Sequence, residues 1–304
     1  MFLLSFFLLG IIVCVASADN SFRCDYTYDD DVNGYLKYQK IPANWHDARL
    51  RCHLEGAVLA SPTNFRMKNA MLRMTRANVD IFTGYHATFS KEDYHSVEGL
   101  PIDKYTQWAA GEPDNWDNNE DCLYMTSSGN LGDMDCKLTR PYICYKKYNP
   151  NERRNQCGTI DNDYHYYNST GSCYKFHKVP RTWSRAYMAC TAEGGYLTII
   201  NSKTEAKAIV EIFAQNPAIS MVGNFWKDVA YVGFNDWGEH GEYLTIEGQT
   251  LKEAGYDLFS PGEPNNSTTG EYCGSVYRTA LLNDLWCENH YAFICEKDPK
   301  SLVC

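Results

Sequence analysis

Five side chains with hard oxygen donors gather between Gly262 and Cys287: Glu263, Asn265, Glu271, Asn283 and Asp284. Carboxylates and amides of this kind are the ligands Ca²⁺ takes, about 6 to 8 oxygens with water completing the shell. Cys273 and Cys287 are placed to close the segment between them, which would turn its two halves toward one point. A cis bond before Pro264 would bring the Glu263 and Asn265 side chains to the same side. The sequence leaves that isomer open. The plainer reading is an acidic, Asn-rich surface loop, and five donors at fixed spacing weigh against it.

Glu263-Pro264-Asn265, a glutamate eight residues after Glu263, Asn283-Asp284 shortly before a cysteine, and Cys295 eight residues beyond Cys287 resemble the C-type lectin carbohydrate-recognition domain. The resemblance implies that all five side chains hold Ca²⁺, which directly coordinates two vicinal sugar hydroxyls. Carbohydrate binding then falls to Glu263, Asn265, Glu271 and Asn283. The residue types suit this role. A hydroxyl can give a lone pair to the metal, donate its proton to a carboxylate and accept from an amide NH₂, so a site alternating Glu with Asn satisfies it. The implied preference is for equatorial vicinal hydroxyls, as in mannose, N-acetylglucosamine or, in a related geometry, fucose.

The frame that must position these donors is written twice. Pro42, Trp45, Ala48, Cys52, Gly56 and Leu59 recur 138 residues later as Pro180, Trp183, Ala186, Cys190, Gly194 and Leu197. Cys122, Cys136 and Cys144 recur 151 residues later as Cys273, Cys287 and Cys295, so the second unit carries a 13-residue insertion, expected within Pro217 to Lys227. The expected organisation is a leader over 1–18, a first domain over 19–148, a polar connector over 149–156, a second domain over 157–298 and a tail over 299–304. Asn44 and Thr182 are expected N-caps of helices carrying Trp45 and Trp183. Ser202 to Glu205 reads as a capping box opening a second helix, with Ala206, Ile209, Val210 and Phe213 on one stripe. Tyr231-Val232-Gly233-Phe234 and Phe82-Thr83-Gly84-Tyr85 resemble the family's central strand. Two helices with a long-looped antiparallel sheet in each unit make an α+β fold.

Residues 1–18 are apolar and end in Ala16-Ser17-Ala18, which fits a secretory leader cleaved before Asp19, although no Lys or Arg opens it. The run is short for an uncleaved anchor, since a bilayer needs about 20 residues. Twelve cysteines remain once Cys14 is removed with the leader, an even number in a chain bound for an oxidising compartment. The family resemblance implies Cys52–Cys144, Cys122–Cys136, Cys157–Cys173, Cys190–Cys295 and Cys273–Cys287. Cys24 and Cys304 are left over, either to bond each other or to link two chains as a homo-oligomer. Zinc is disfavoured because paired Cys or His spacing does not occur.

The first unit departs from the pattern at its site. Glu112, Asp114, Glu120 and Asp133 are weaker metal candidates, with Asp114 in place of Asn265 and Gly132 in place of Asn283. A hydroxyl between two carboxylates has one proton for two acceptors, which leaves one unmet at about 1–3 kcal/mol in a dry site. Asn115, Asp117, Asp121 and Glu92 are candidates for an accessory Ca²⁺ site, although an acidic cluster is more often a solvated face. In the second unit Asp236 falls where the family's accessory site takes a ligand, but His240 and Tyr272 replace acidic residues. Asn168 and Asn266 open glycosylation sequons.

A net charge of −10 and a pI near 5.3 argue against nucleic acid or an anionic membrane surface as partner. Catalytic serine, zinc-protease and phosphate-loop motifs are absent, and a glycosidase would need a protonated carboxyl where Ca²⁺ favours ionisation. The reading is therefore a secreted, calcium-dependent, mannose-type lectin without enzymatic activity, with domain 2 as main sugar reader. The layout resembles the insect immulectins, which implies innate-immune recognition of microbial surface glycans with agglutination and opsonisation. The rival is a protein-interaction module on the same fold, without sugar.

Overall fold

The computed structural model describes residues 22–102, 106–266 and 270–304. The expected leader lies outside them. The first unit runs β1 (Thr27–Asp29), β2 (Gly34–Ala43), α1 (Trp45–Leu54), β3 (Val58–Leu59), α2 (Phe65–Met74), β4 (Ile81–His86), β5 (His95–Ser96), β6 (Cys122–Met125), β7 (Leu131–Met134) and β8 (Arg140–Lys147). The second repeats it as β9 (His165–Tyr167), β10 (Ser172–Arg181), α3 (Trp183–Ala192), β11 (Tyr196–Leu197), α4 (Lys203–Gln215), β12 (Val229–Asn235) and β13 (Leu244–Thr245). A short α5 (Leu251–Ala254), β14 (Cys273–Tyr277), β15 (Leu282–Leu285) and β16 (Tyr291–Lys297) complete it. The sheets are ordered β1-β2-β8-β4-β6-β7 and β9-β10-β16-β12-β14-β15. Most pairs are antiparallel, but β4 runs parallel to β8 and β12 to β16, so each sheet is mixed where an antiparallel one is expected.

The repeated residues have repeated jobs. Asn44 and Thr182 accept from the backbone N–H of Asp47 and Arg185, which caps α1 and α3. Trp45 and Trp183 are buried, and their indole N–H groups donate to Thr83 O at 2.8 Å and Val232 O at 3.0 Å. Each first helix is thereby pinned to the central strand, and truncating such an indole costs about 3–5 kcal/mol. Gly84 and Gly233 are glycine because a Cβ there would strike the carbonyl oxygens of Leu59 and Leu197. The capping box expected at α4 forms by half. Ser202 accepts from Glu205 N, but the Glu205 carboxylate is buried and accepts from Tyr174 O–H at 2.6 Å and Asn201 N–H at 2.8 Å. The complete box opens α5, at Thr250 and Glu253.

The offset between matching residues is 138 at Trp45 and Trp183, 149 at Gly84 and Gly233, and 151 at Cys122 and Cys273. Most of the insertion therefore lies between α4 and β12, where the helix has 13 residues against 10 in α2 and a loop over 216–228 follows. The structure pairs Cys52 with Cys144, Cys122 with Cys136, Cys157 with Cys173, Cys190 with Cys295 and Cys273 with Cys287. It also closes Cys24 on Cys304 within the chain, with Cα atoms 5.1 Å apart. That bond joins the start of one unit to the end of the other. Beside it Arg23 donates to Ala192 O at 2.7 Å, and across α1 and α3 Arg185 meets Asp47 at 2.9 Å.

Candidate metal and carbohydrate sites

Both sites are built on one frame. On β15 the buried Asp284 accepts from Asn265 N–H at 3.2 Å and Asn266 N–H at 2.9 Å, and from Tyr243 O–H at 3.0 Å. On β7 the buried Asp133 accepts from Asp114 N–H at 3.1 Å, Asn115 N–H at 3.0 Å and Tyr94 O–H at 3.0 Å. The peptide bonds Glu112–Pro113 and Glu263–Pro264 are both cis. Each aspartate thus ties the proline loop to the sheet while keeping its oxygens at the loop's mouth. The two tyrosines escape the motif-based reading, yet they stand 149 residues apart, the same offset as Gly84 and Gly233.

In the second unit Glu263 and Asn265 lie together, with the Asn265 amide donating to Glu263 Oε2. Partial burial, followed by the charges of Asp284 and Glu271, raises the Glu263 carboxyl above its ordinary range. The charges of Asp284 and Glu271 therefore oppose that of Glu263, an arrangement that a cation relieves. Asn283 lies opposite Ser275 and is buried, with its NH₂ donating to Ser275 Oγ at 3.1 Å and Asp284 O at 2.8 Å. The sequence reading places that NH₂ toward a sugar; here, inside the strand pair, it satisfies its donors locally because an unpaired buried amide would be costly.

In the first unit carboxylate oxygens of Glu112, Asp114 and Asp133 come within 4.8 Å of one another. Glu112 Oε2 is buried and makes no hydrogen bond. Burial, then Asp133, raises the Glu112 carboxyl. Burial with Asp114 and Asp133 nearby pushes Glu120 up to about 7, although the Trp116 N–H that it accepts at 3.0 Å pulls the other way. A donor does reach this site, contrary to the all-acceptor reading. Tyr124 donates its hydroxyl to Glu112 Oε1 at 3.2 Å. Its ring covers Gly132, where a Cβ would sit 2.5 Å from ring atoms, so the phenol fills the space that the Asn283 side chain takes in domain 2.

The accessory positions are occupied by other side chains. In domain 1 the Lys91 ammonium lies 2.8 Å from Asp121 and donates to Asn118 O at 3.0 Å, which supplies a built-in cation, while Glu92 points to solvent. Asn115 and Asp117 take left-handed backbone at the Trp116 turn. In domain 2 the His240 ring stacks on Tyr272, centroids 4.5 Å apart, beside Asp236. Asp236 is buried, with Oδ1 unpartnered and Oδ2 accepting from Gly241 N–H at 3.3 Å. Asn168 is exposed after β9; Asn266 is exposed, and the rest of its sequon lies outside the described residues.

The donor sets fit a hard divalent cation: they are all oxygen, and in domain 1 three carboxylates converge and hold a buried oxygen without a partner. Two mixed-sheet α+β units, each with a cis-proline acidic cage and a disulfide framework, define the class to which the comparisons with known proteins then give a name. The lectin C-type domain model matches residues 41–146 and 179–297, and the chain belongs to that family, a carbohydrate-binding and non-enzymatic fold. It is 36% identical over 124 residues to the hemolymph lipopolysaccharide-binding protein of Periplaneta americana, which covers 40% of this chain and 48% of that one. It is 26% identical over 289 residues to C-type mannose receptor 2 of Rattus norvegicus, covering 90% of this chain and 18% of the receptor. The chain thus spans less than half the length of these two curated relatives. Among solved structures, the mouse scavenger receptor C-type lectin carbohydrate-recognition domain matches at 21% identity and a TM-score of 0.38, covering 41% of this chain and 96% of that domain. Among the described residues no helix is long and apolar enough to cross a membrane.

Proposed function

We propose that the protein is a secreted, calcium-dependent lectin whose second domain reads mannose-type vicinal hydroxyls on microbial surface glycans, with agglutination and opsonisation as the outcome. One observation carries this reading. Asp284, Tyr243 and the backbone of Asn265 and Asn266 hold Glu263 and Asn265 side by side at the mouth of a charge-crowded cage. Glu263, Asn265, Glu271, Asn283 and Asp284 are the residues that would hold Ca²⁺. The metal, when bound, supplies the Lewis-acid contact to two hydroxyl oxygens. The chain does the rest: a hydroxyl replaces the internal Asn265–Glu263 bond, accepting from the amide and donating to the carboxylate. In domain 1 Glu112, Asp114, Glu120 and Asp133 would hold a structural cation. The cockroach relative named for lipopolysaccharide binding supports a microbial ligand. Weak single sites with extracellular-range Ca²⁺ affinity, about 10⁻⁴–10⁻³ M, would rely on several contacts to a glycan surface.

The test is retention of the mature chain on immobilised mannose and galactose in Ca²⁺ and then in EDTA, beside the double variant Glu263→Gln, Asn265→Asp. Retention on mannose that EDTA releases and the variant alters supports the reading. Partner binding that survives both EDTA and the variant rejects it in favour of a protein-interaction module.

A further inference from the structure

His86 and His95 stand nine residues apart, wider than the spacing of paired zinc ligands in a motif. Strand pairing brings them together. His86 closes β4 and His95 opens β5, and the antiparallel register sets them directly opposite. Opposed side chains share a face of the strand pair, and here the ring centroids are 4.5 Å apart. Rings this close can place two nitrogens about 3.3 Å apart, the separation that a tetrahedral Zn²⁺ with bonds of about 2.0–2.1 Å requires.

Hydrogen bonds at the far ring nitrogen leave each Nε2 for a ligand. His95 Nδ1 lies 3.0 Å from Asp93 O, and because a carbonyl only accepts, Nδ1 carries the proton. His86 Nδ1 lies 2.9 Å from Thr88 Oγ1, a hydroxyl able to accept in the same way. Among the described residues nothing is hydrogen-bonded to either Nε2. A bond of this kind, from the nitrogen that faces away from the metal, is how metal-binding histidines are oriented. Burial, then His95, Arg49 and His46, lowers His86 to about 4, so at neutral pH a cation displaces no proton from it. Arg49 opposes a cation, but it is exposed, and salt screens its charge.

Both imidazoles line a cavity of about 350 Å³ together with Trp45, His46, Arg49 and Phe89. Trp45 lies against His86, centroids 4.8 Å apart, and Phe89 flanks the pair, 5.4 Å from His86 and 6.1 Å from His95. Domain 2 repeats the strand pair 149 residues on as Asn235 opposite Leu244, without an imidazole. There Tyr187 and Trp237 pack on Trp183, where Arg49 and Thr88 hold the matching places in domain 1.

We propose that His86 and His95 chelate a divalent transition-metal ion of the Zn²⁺ class in domain 1, with water completing its shell. Imidazole nitrogen suits Zn²⁺, Cu²⁺ or Ni²⁺, whereas the all-oxygen cages suit Ca²⁺, so the two kinds of site take different ions. The inference is independent of the carbohydrate reading.

The test is calorimetric titration of the full chain with ZnCl₂ in saturating Ca²⁺, which keeps the cages filled, beside His95→Leu and the pair His86→Asn, His95→Leu. Domain 2 carries Asn and Leu at the same register, so the strand pair accommodates them, and circular dichroism checks the fold. One Zn²⁺ per chain is expected. His95→Leu should weaken it roughly tenfold or more, at least what loss of a supporting hydrogen-bond partner costs, and the pair should abolish it. With Co²⁺ in place of Zn²⁺, the proton spectrum of the unaltered chain should show paramagnetically shifted imidazole N–H signals from two histidines, a readout that needs no variant. Zn²⁺ bound equally well by the pair variant overturns the proposal as adventitious binding to other histidines. Failure of the unaltered chain to bind Zn²⁺, or a Co²⁺ spectrum without shifted imidazole signals, also overturns it.

Discussion

The Tyr124 ring lies 2.5 Å from where a side chain on Gly132 would begin, whereas Ser275, at the matching place in domain 2, accepts the amide of Asn283 at 3.1 Å. One exchange of bulk between neighbouring strands separates the two sites. Gly132→Asn alone should therefore clash with Tyr124 and destabilise domain 1 by about 1–3 kcal/mol in denaturant unfolding. The triple change Tyr124→Ser, Gly132→Asn, Asp114→Asn should recover that stability and add a second mannoside site per chain. A triple variant that folds and gains no mannoside would refute this account of the difference.

Calcium stoichiometry probes the accessory positions. Lys91 is half-exposed and its pair with Asp121 is a surface contact, so Lys91→Ala should change stability by less than about 1 kcal/mol. Lys91→Glu replaces the built-in ammonium with two further oxygens beside Asp121. Titration with Ca²⁺ should then show one additional weak site in the variant; an unchanged count would mean that Asp121 is not poised for a cation.

A pair of carboxyls in the domain 2 core gives a stability trend with pH. Burial, then Glu205, pushes Glu296 up to about 8, and Glu205 is raised as well, chiefly by burial. A carboxyl whose folded pKa lies above its unfolded value favours the folded state at low pH and loses that contribution as pH rises through the folded pKa. The melting temperature should accordingly fall between about pH 5 and pH 8. Glu296→Gln should flatten the slope, and a slope equal to that of the unaltered chain would assign it to other groups.

The closure of Cys24 on Cys304 predicts that the protein carries no linkage between chains through these residues. Electrophoresis without reductant should show the single-chain mass, and Cys24→Ser with Cys304→Ser should leave it unchanged. A band at twice the mass that the double variant abolishes would contradict the intrachain bond.

Much of the frame was readable because it is repeated. Trp45 and Trp183, the central glycines and the cysteines recur at fixed offsets, and each recurrence marks a contact that a second residue type would break. The proposed cage residues stand out in the sequence because oxygen-bearing side chains flank a proline in both units. What stayed hidden depends on cross-strand geometry. Tyr124 covers Gly132 from the adjacent strand, Lys91 meets Asp121 across a loop, and Glu205 turns from its own helix to Tyr174. The parallel pairing of β4 with β8 is likewise a matter of topology, which periodicity does not encode. The repeat also extends to buried polar residues that no motif marks: Tyr26, Lys37 and Glu55 recur 138 residues later as Tyr164, Lys175 and Glu193. Both sets form the same buried network, with the glutamates accepting from the tyrosines at 2.7 Å and 2.9 Å.

Sugar is proposed to enter the domain 2 cage alone, since Tyr124 fills the matching space in domain 1. The most direct measurement is the number of methyl α-mannosides bound per chain at saturating Ca²⁺, by equilibrium dialysis, on the unaltered protein and on Asn265→Asp. One mannoside per chain is expected, lost in EDTA and in the variant. Two per chain, or one that persists in Asn265→Asp, would contradict it.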